Sequence, residues 1–237
     1  MILKNRILAF DVSNNRCSVA ISIGQDIIAY EEDLRNSVQS EVLVPLIEKS
    51  LKSVNYNYSQ IDYLALTKGP GSFTGIRVGL SAAEGILAAS NIEGVAISNF
   101  EMSYYRLITQ VKSFDKAIIL LNAYRDQLYY QEFDNSGKKK NYGTTNVDGV
   151  SLLLSDHKNS KTVCAGSGAY KILKQRKIVN SIMILPRFAA ANAIQVCRLA
   201  DCKVQKKEFG TLDPLYIRPV NAQIPRKPVK VINNKNK

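Results

Sequence analysis

Apolar and polar residues in this chain follow two periods, one near two residues and one near 3.6. Residues 7–12 are apolar except for Asp11, and residues 17–23 alternate Cys, Val, Ile and Ile against Ser, Ala and Ser. Turn chemistry at Ser13-Asn-Asn-Arg16 separates these runs, and Gly24-Gln-Asp26 turns the chain again into 27–31. Together they predict an antiparallel three-stranded meander. Leu43, Ile47, Leu51 and Val54 then recur at spacings of four and three, which predicts a helix. Pro45 inside that pattern implies a late start or a kink. A short strand at 63–67 leads through the glycine-rich 69–75 into a helix over 76–90, and 95–98 reads as a further strand.

The second half predicts paired strands at 116–122 and 127–133, a polar excursion at 134–146, and a strand at 161–165 that enters a helix at Gly166-Ser-Gly168. A helix is expected over 189–203, with Ile194, Cys197 and Ala200/Asp201 marking its faces. From Pro214 onward, prolines and lysines predict an extended or disordered tail. No repeat of fixed period is present. Strands alternating with helices after an antiparallel opening indicate a mixed-sheet α/β protein.

Composition narrows the chemistry. At 237 residues the chain holds one large domain or two small ones. No uncharged apolar stretch approaches the roughly 18–20 residues of a membrane span. The opening Met1-Ile-Leu-Lys-Asn-Arg6 has no long apolar core or small-residue cleavage site, so a cytoplasmic protein is expected. The single histidine, His157, excludes metal sites built on several histidines and leaves a Ser-His-Asp triad only one candidate base. Cys17, Cys164, Cys197 and Cys202 contain no CxxC pair, so reduced and mostly buried thiols are expected. No metal and no cofactor are expected.

The net charge of +12 is uneven. Residues 1–118 carry 11 basic and 12 acidic side chains, a balance of −1, while 119–237 carry 21 and 8, a balance of +13. Such a half is either an electrostatic footprint for RNA or a solvated, compositionally biased surface.

The richest stretch is Lys68-Gly-Pro-Gly-Ser-Phe-Thr-Gly-Ile-Arg-Val-Gly79. Its glycines permit a tight turn and close backbone approach, and Ser72 or Thr74 can cap the following helix. The helix start is either an anion cradle or a structural turn. The Walker A pattern fails, and Gly75 falls one residue late for GxGxxG. Along the helix, Arg77, Ser81, Glu84 and Ala88 form one narrow stripe. Ile76, Leu80 and Leu87 form a bulky face, and Ala82, Gly85 and Ala89 a small-residue face beside Val78. Such a helix needs cover on two sides. The small face suits a second helix, from this chain or from a partner, and Gly75, Val78, Gly79, Ala82, Gly85 and Ala89 are the candidate interface positions. Asp11, at the end of the first strand, either caps the turn that follows it or occupies the acidic position of an actin-like phosphate hairpin.

Ile7-Leu-Ala-Phe-Asp-Val-Ser13, Cys17-Ser-Val-Ala20 and above all Gly69-Pro-Gly-Ser-Phe-Thr-Gly-Ile-Arg-Val-Gly79 resemble the TsaB (YeaZ-type) family. Weaker echoes are Ser40-Glu41 with Leu43 and Pro45, Asn122-Ala-Tyr-Arg125 with Tyr129, Ala165-Gly-Ser-Gly168 and Pro214-Leu-Tyr-Ile-Arg218. The resemblance implies a two-domain actin-like/sugar-kinase (ASKHA) fold with mixed sheets flanked by helices. The expected boundaries are 1–100, 101–218 and a basic tail at 219–237. It further implies a non-catalytic subunit of the bacterial machinery that places threonylcarbamoyl on adenosine 37 of tRNAs. Its partners would be the catalytic subunit TsaD, the ATPase TsaE, or a second copy in a homodimer, with tRNA as the substrate of the complex. Asp11 and Ser13 would mark a vestigial nucleotide site. Gln39, Asn122 and Tyr124 depart from the family, which often has His, Asp and Arg there. Two other readings compete: an autonomous actin-fold phosphotransferase or peptidase, and a basic RNA-binding module.

Overall fold

The meander forms as the alternation predicts, with β1 (Arg6–Asp11), β2 (Cys17–Ile23) and β3 (Asp26–Asp33) paired antiparallel in sequence. A computed structural model gives the structure and describes residues 4–14, 16–123, 126–155, 160–174, 182–185 and 192–217. Two strands join β1 in parallel order, β4 (Tyr63–Thr67) beside it and β5 (Glu93–Ile97) outside, giving a five-stranded sheet β3-β2-β1-β4-β5. Helices cover both faces, which explains why β1 is apolar without alternation. Leu8 and Phe10 face α1 (Gln39–Ser53) and α2 (Phe73–Ala88), whereas Ile7 and Ala9 face α5 (Ala193–Gln205).

The second sheet repeats this plan. β6 (Lys116–Asn122), β7 (Gln127–Asp134) and β8 (Lys139–Asn146) form a second antiparallel meander. β9 (Thr162–Ala165) and β10 (Ile182–Ile184) add in parallel, giving the order β10-β9-β6-β7-β8. Phe100, Tyr104 and Leu107 of α3 (Asn99–Gln110) pack on one face; Val150 and Leu154 of α4 (Val147–Ser155) pack on the other.

Several expectations are corrected. The polar excursion at 134–146 contains β8, an edge strand whose side chains are largely exposed and whose order comes from its backbone pairing with β7. Helix α1 starts ahead of Pro45, not after it, so the proline sits in the second turn, where its missing N–H removes a single helical bond. A short 3-10 helix, Ala169–Lys174, follows Gly168 in place of a full helix. α3 and α4 were absent from the periodicity reading. Yet α3 carries a legible signature: the Glu101 N–H donates to Ser98 Oγ (3.1 Å) and the Ser98 N–H to Glu101 Oε2 (2.8 Å), a capping box. At α5, a second capping box, the Ile194 N–H donates to Asn192 Oδ1 (3.1 Å) and the Asn192 N–H to Gln195 Oε1 (2.9 Å). The expected start of that helix at 189, His157, the pair 124–125 and the tail at 219–237 lie outside the described residues. No helix among the described residues is long and apolar enough to cross a membrane.

Candidate functional site

The glycine-rich loop closes directly onto the β1–β2 turn. The Ser72 N–H donates to the Ser13 carbonyl at 2.7 Å. A Cβ on Gly71 would stand 2.2 Å from that same carbonyl oxygen, and one on Gly75 would stand 1.9 Å from the carbonyl oxygen of Val12. A Cβ on Gly79 would meet the Val12 side chain at 2.7 Å. The close approach that glycine allows is therefore used for the chain's own turn. Ser72 caps α2, its Oγ accepting from the Gly75 N–H at 3.1 Å. The loop thus forms the structural turn that one of its two sequence readings requires.

Asp11 lies beneath this contact and is 3% exposed. Its Oδ1 accepts from the Ser13 N–H (3.0 Å), from Ser13 Oγ (2.6 Å) and from Thr67 Oγ1; its Oδ2 accepts from Asn14 Nδ2 (3.1 Å). Asn99 Nδ2 donates both to Ser13 Oγ and to the Pro70 carbonyl, each at 2.8 Å. Gln39, buried, donates to the Asn14 carbonyl at 2.9 Å. The network joins β1, β4, α1, α3 and the glycine loop through one buried carboxylate. Sequence reasoning identified Asp11 and Ser13 but missed Thr67 and Asn99, which lie 56 and 86 residues from their partners. Asp11 caps its turn, as one of its two sequence readings required.

The candidate interface positions of α2 divide into two groups. Gly75 and Gly79 are buried against Val12 of the same chain. Val78 and Ala82 are half-buried, while Gly85 and Ala89 are exposed. Among the described residues, nothing stands within 4 Å of a Cβ placed on Gly85. Part of the small face is approached by α1, leaving a cavity of about 300 Å³ between Val44, Ile47 and Tyr58 on one side and Ala82, Gly85 and Ala89 on the other. Val44 is 52% exposed, so this groove has an apolar, open rim. The bulky face behaves as expected at Ile76 and Leu80, which are buried on the sheet.

The last described segment straps this region. The Leu215 N–H donates to the Lys68 carbonyl at 2.8 Å, and the Phe209 carbonyl accepts from the Ala96 N–H at 3.0 Å. Arg77 lies against a pair of packed rings, its guanidinium carbon 3.8 Å from the Phe73 centroid and 5.9 Å from that of Tyr216. Its Nε donates to the Tyr216 hydroxyl at 3.1 Å.

Two mixed five-stranded sheets with the same strand plan, flanked by helices, place the chain in the actin-like and sugar-kinase class of α/β folds. Among solved structures, YeaZ from Pseudomonas aeruginosa superposes with a TM-score of 0.72 at 18% identity, covering 90% of this chain and 99% of that one. The ROK hexokinase from Thermus thermophilus gives 0.52 at 8% identity, covering 84% of this chain and 99% of that one. The family model described as "TsaD: tRNA N6-adenosine threonylcarbamoyltransferase" matches residues 36–213. A tRNA threonylcarbamoyladenosine biosynthesis protein TsaB from Haemophilus influenzae is 24% identical over 226 residues, 90% of this chain and 93% of that protein. The chain belongs to the family of that model, among the TsaB (YeaZ-type) proteins.

Proposed function

We propose that this chain is a non-catalytic, cytoplasmic subunit of the complex that transfers a threonylcarbamoyl group to adenosine 37 of tRNAs. In this reading it pairs with the catalytic subunit TsaD through the α1–α2 face, with the ATPase TsaE as a further partner and a homodimer as the alternative pairing of the same surface. The observation that carries the reading is the open groove of small residues on α2: Ala82, Gly85 and Ala89 leave room for a second helix to approach, and α1 fills only part of it. A scaffold role is supported by the use of the glycine loop and Asp11 for internal packing, and by a sequence with one histidine, too few for a multi-histidine metal site. We retain the division into units 1–100 and 101–218 as part of this proposal.

The test is co-purification with TsaD and reconstituted tRNA modification, using wild type and Ala82→Leu. Filling the groove with a bulky side chain costs about 1–3 kcal/mol by overpacking, which is about five- to 150-fold in association. Wild type should restore modification while hydrolysing negligible ATP alone, and Ala82→Leu should lose the partner while keeping its melting temperature. Unchanged assembly with a lowered melting temperature would place the small face inside the monomer. Robust ATP turnover by the isolated chain, abolished by Asp11→Ala, would replace the scaffold reading with an autonomous phosphotransferase.

A further inference from the structure

Where the two sheets meet, a half-open cavity of about 240 Å³ is lined by side chains from four separate elements. Lys68 follows β4, Glu101 lies in the first turn of α3, Lys139 opens β8 and Lys203 lies in the last turn of α5. Glu101 bonds both Lys203, at 2.8 Å, and Lys139, at 3.0 Å, and is the one carboxylate among the described lining residues. Lys203 and Glu101 are almost enclosed, with 12% and 13% of their side chains exposed. Lys68 is half-buried; its ammonium donates to the Thr211 carbonyl at 3.0 Å and has no ion-pair partner among the described residues. Burial pushes the Lys68 amine down. Glu101 and Asp213 act to raise it, Lys139 and Lys203 to lower it. Two further carboxylates stand nearby, Glu208 at 4.0 Å from Lys203 and Asp213 near Lys68, but both are exposed and neither lines the cavity.

The lining thus sets three ammonium groups, Lys203 enclosed, Lys68 half-buried and Lys139 half-exposed, against one carboxylate. Half-buried Lys68 has no ion-pair partner among the described residues, and a partly desolvated ammonium without one favours a counter-ion. We propose that this junction binds a phosphate-class oxyanion, either free phosphate or the phosphoryl group of a small ester. A phosphate dianion offsets the surplus left after Glu101 is counted. Its oxygens also accept charge-assisted bonds from ammonium groups approaching from different sides, which suits lysine point charges. Ser98 and Tyr142 add hydroxyls to the same lining. Glu101, Lys139 and Lys203 also line a wider cleft of about 820 Å³, walled by Tyr105, Ile108 and Leu199, which has room for the organic part of an ester. The site shares no lining residue with the α1–α2 groove, so its failure would leave the proposed subunit role untouched.

The experiment is calorimetric titration of the full chain with inorganic phosphate, AMP and adenosine at constant ionic strength in chloride buffer. Saturable binding of phosphate and AMP, with none of adenosine, is expected. Lys68→Met and Lys139→Met should each raise the dissociation constant about tenfold or more, the usual loss for a hydrogen bond to a charged group. Phosphate should raise the melting temperature of wild type and do so less for either variant, which reads the site without enzymatic activity. Two variants from different elements guard against one that fails to fold. No saturation by about 10 mM phosphate, equal affinity in wild type and both variants, or adenosine binding as tightly as AMP would overturn the proposal.

Discussion

Glu101 shows how one side chain serves several elements at once. Burial acts to raise its carboxyl, but Lys203 and Lys139, aided by hydrogen bonds from Lys203 and the Ser98 N–H, outweigh it and hold the group at about 2, below its ordinary 4.5. A carboxylate depressed in the folded state stabilises the fold fully above its unfolded value and loses that contribution as pH falls through the folded one. The window is therefore pH 4.5 down to about 2, and the contribution is of the order of 3 kcal/mol. Glu101→Gln should lower the melting temperature at neutral pH, and its deficit against wild type should shrink across that window. Calorimetry of both proteins over the range checks this. A deficit that stays constant to about pH 2.5 would remove the carboxylate as its source. The Ser98–Glu101 spacing was legible as a capping box, but the two lysines were not, because they lie 38 and 102 residues away in sequence.

In α2, glycines of one helix have opposite roles. Gly75 touches the Val12 carbonyl, while Gly85 faces open space. Gly75→Ala forces backbone to move and should cost about 1–3 kcal/mol. Gly85→Ala meets nothing and should gain about 1 kcal/mol of helix propensity. For a chain of this size each kcal/mol shifts the melting temperature by about 2–4 °C, so thermal melts should separate the two variants in opposite directions. Equal shifts would mean that Gly85 is also packed. The helical period and its three faces could be read directly, since side chains at 100° intervals carry that information. Which glycine meets a carbonyl could not, because the contact is made by the backbone of β1, whose position depends on the sheet.

The two sheets share one plan, three antiparallel strands followed by two parallel ones added outward from the first strand, though no internal repeat is visible in the residues. α5, late in the chain, packs on the first sheet, where Val196, Cys197 and Ala200 meet Ile7, Ala9 and Ala65. Charge is the property of the entire chain that bears on tRNA. With +12 net and +13 in its second half, the isolated protein should bind tRNA loosely and without sequence preference. The logarithm of its binding constant should fall linearly with log salt concentration, as counterion release requires. Filter binding from low to high salt checks this, and strong binding retained at high salt would show that more than phosphate charge is read.

Residues alone were sufficient for the mixed α/β class, the opening meander, helices α1 and α2, the strands at 116–122 and 127–133 and the family's glycine motif. These features are local: period, turn chemistry and caps are properties of neighbouring side chains. The tertiary structure decided the rest. β8 is polar and exposed, so no burial pattern announces it, and it exists because β7 offers unpaired backbone groups. The Asp11–Thr67–Asn99 network, the lysine cavity and the return of α5 depend on which backbone lies beside which. Backbone hydrogen bonds use the same N–H and C=O groups in every residue, so pairing over such distances leaves no signature in the order of side chains.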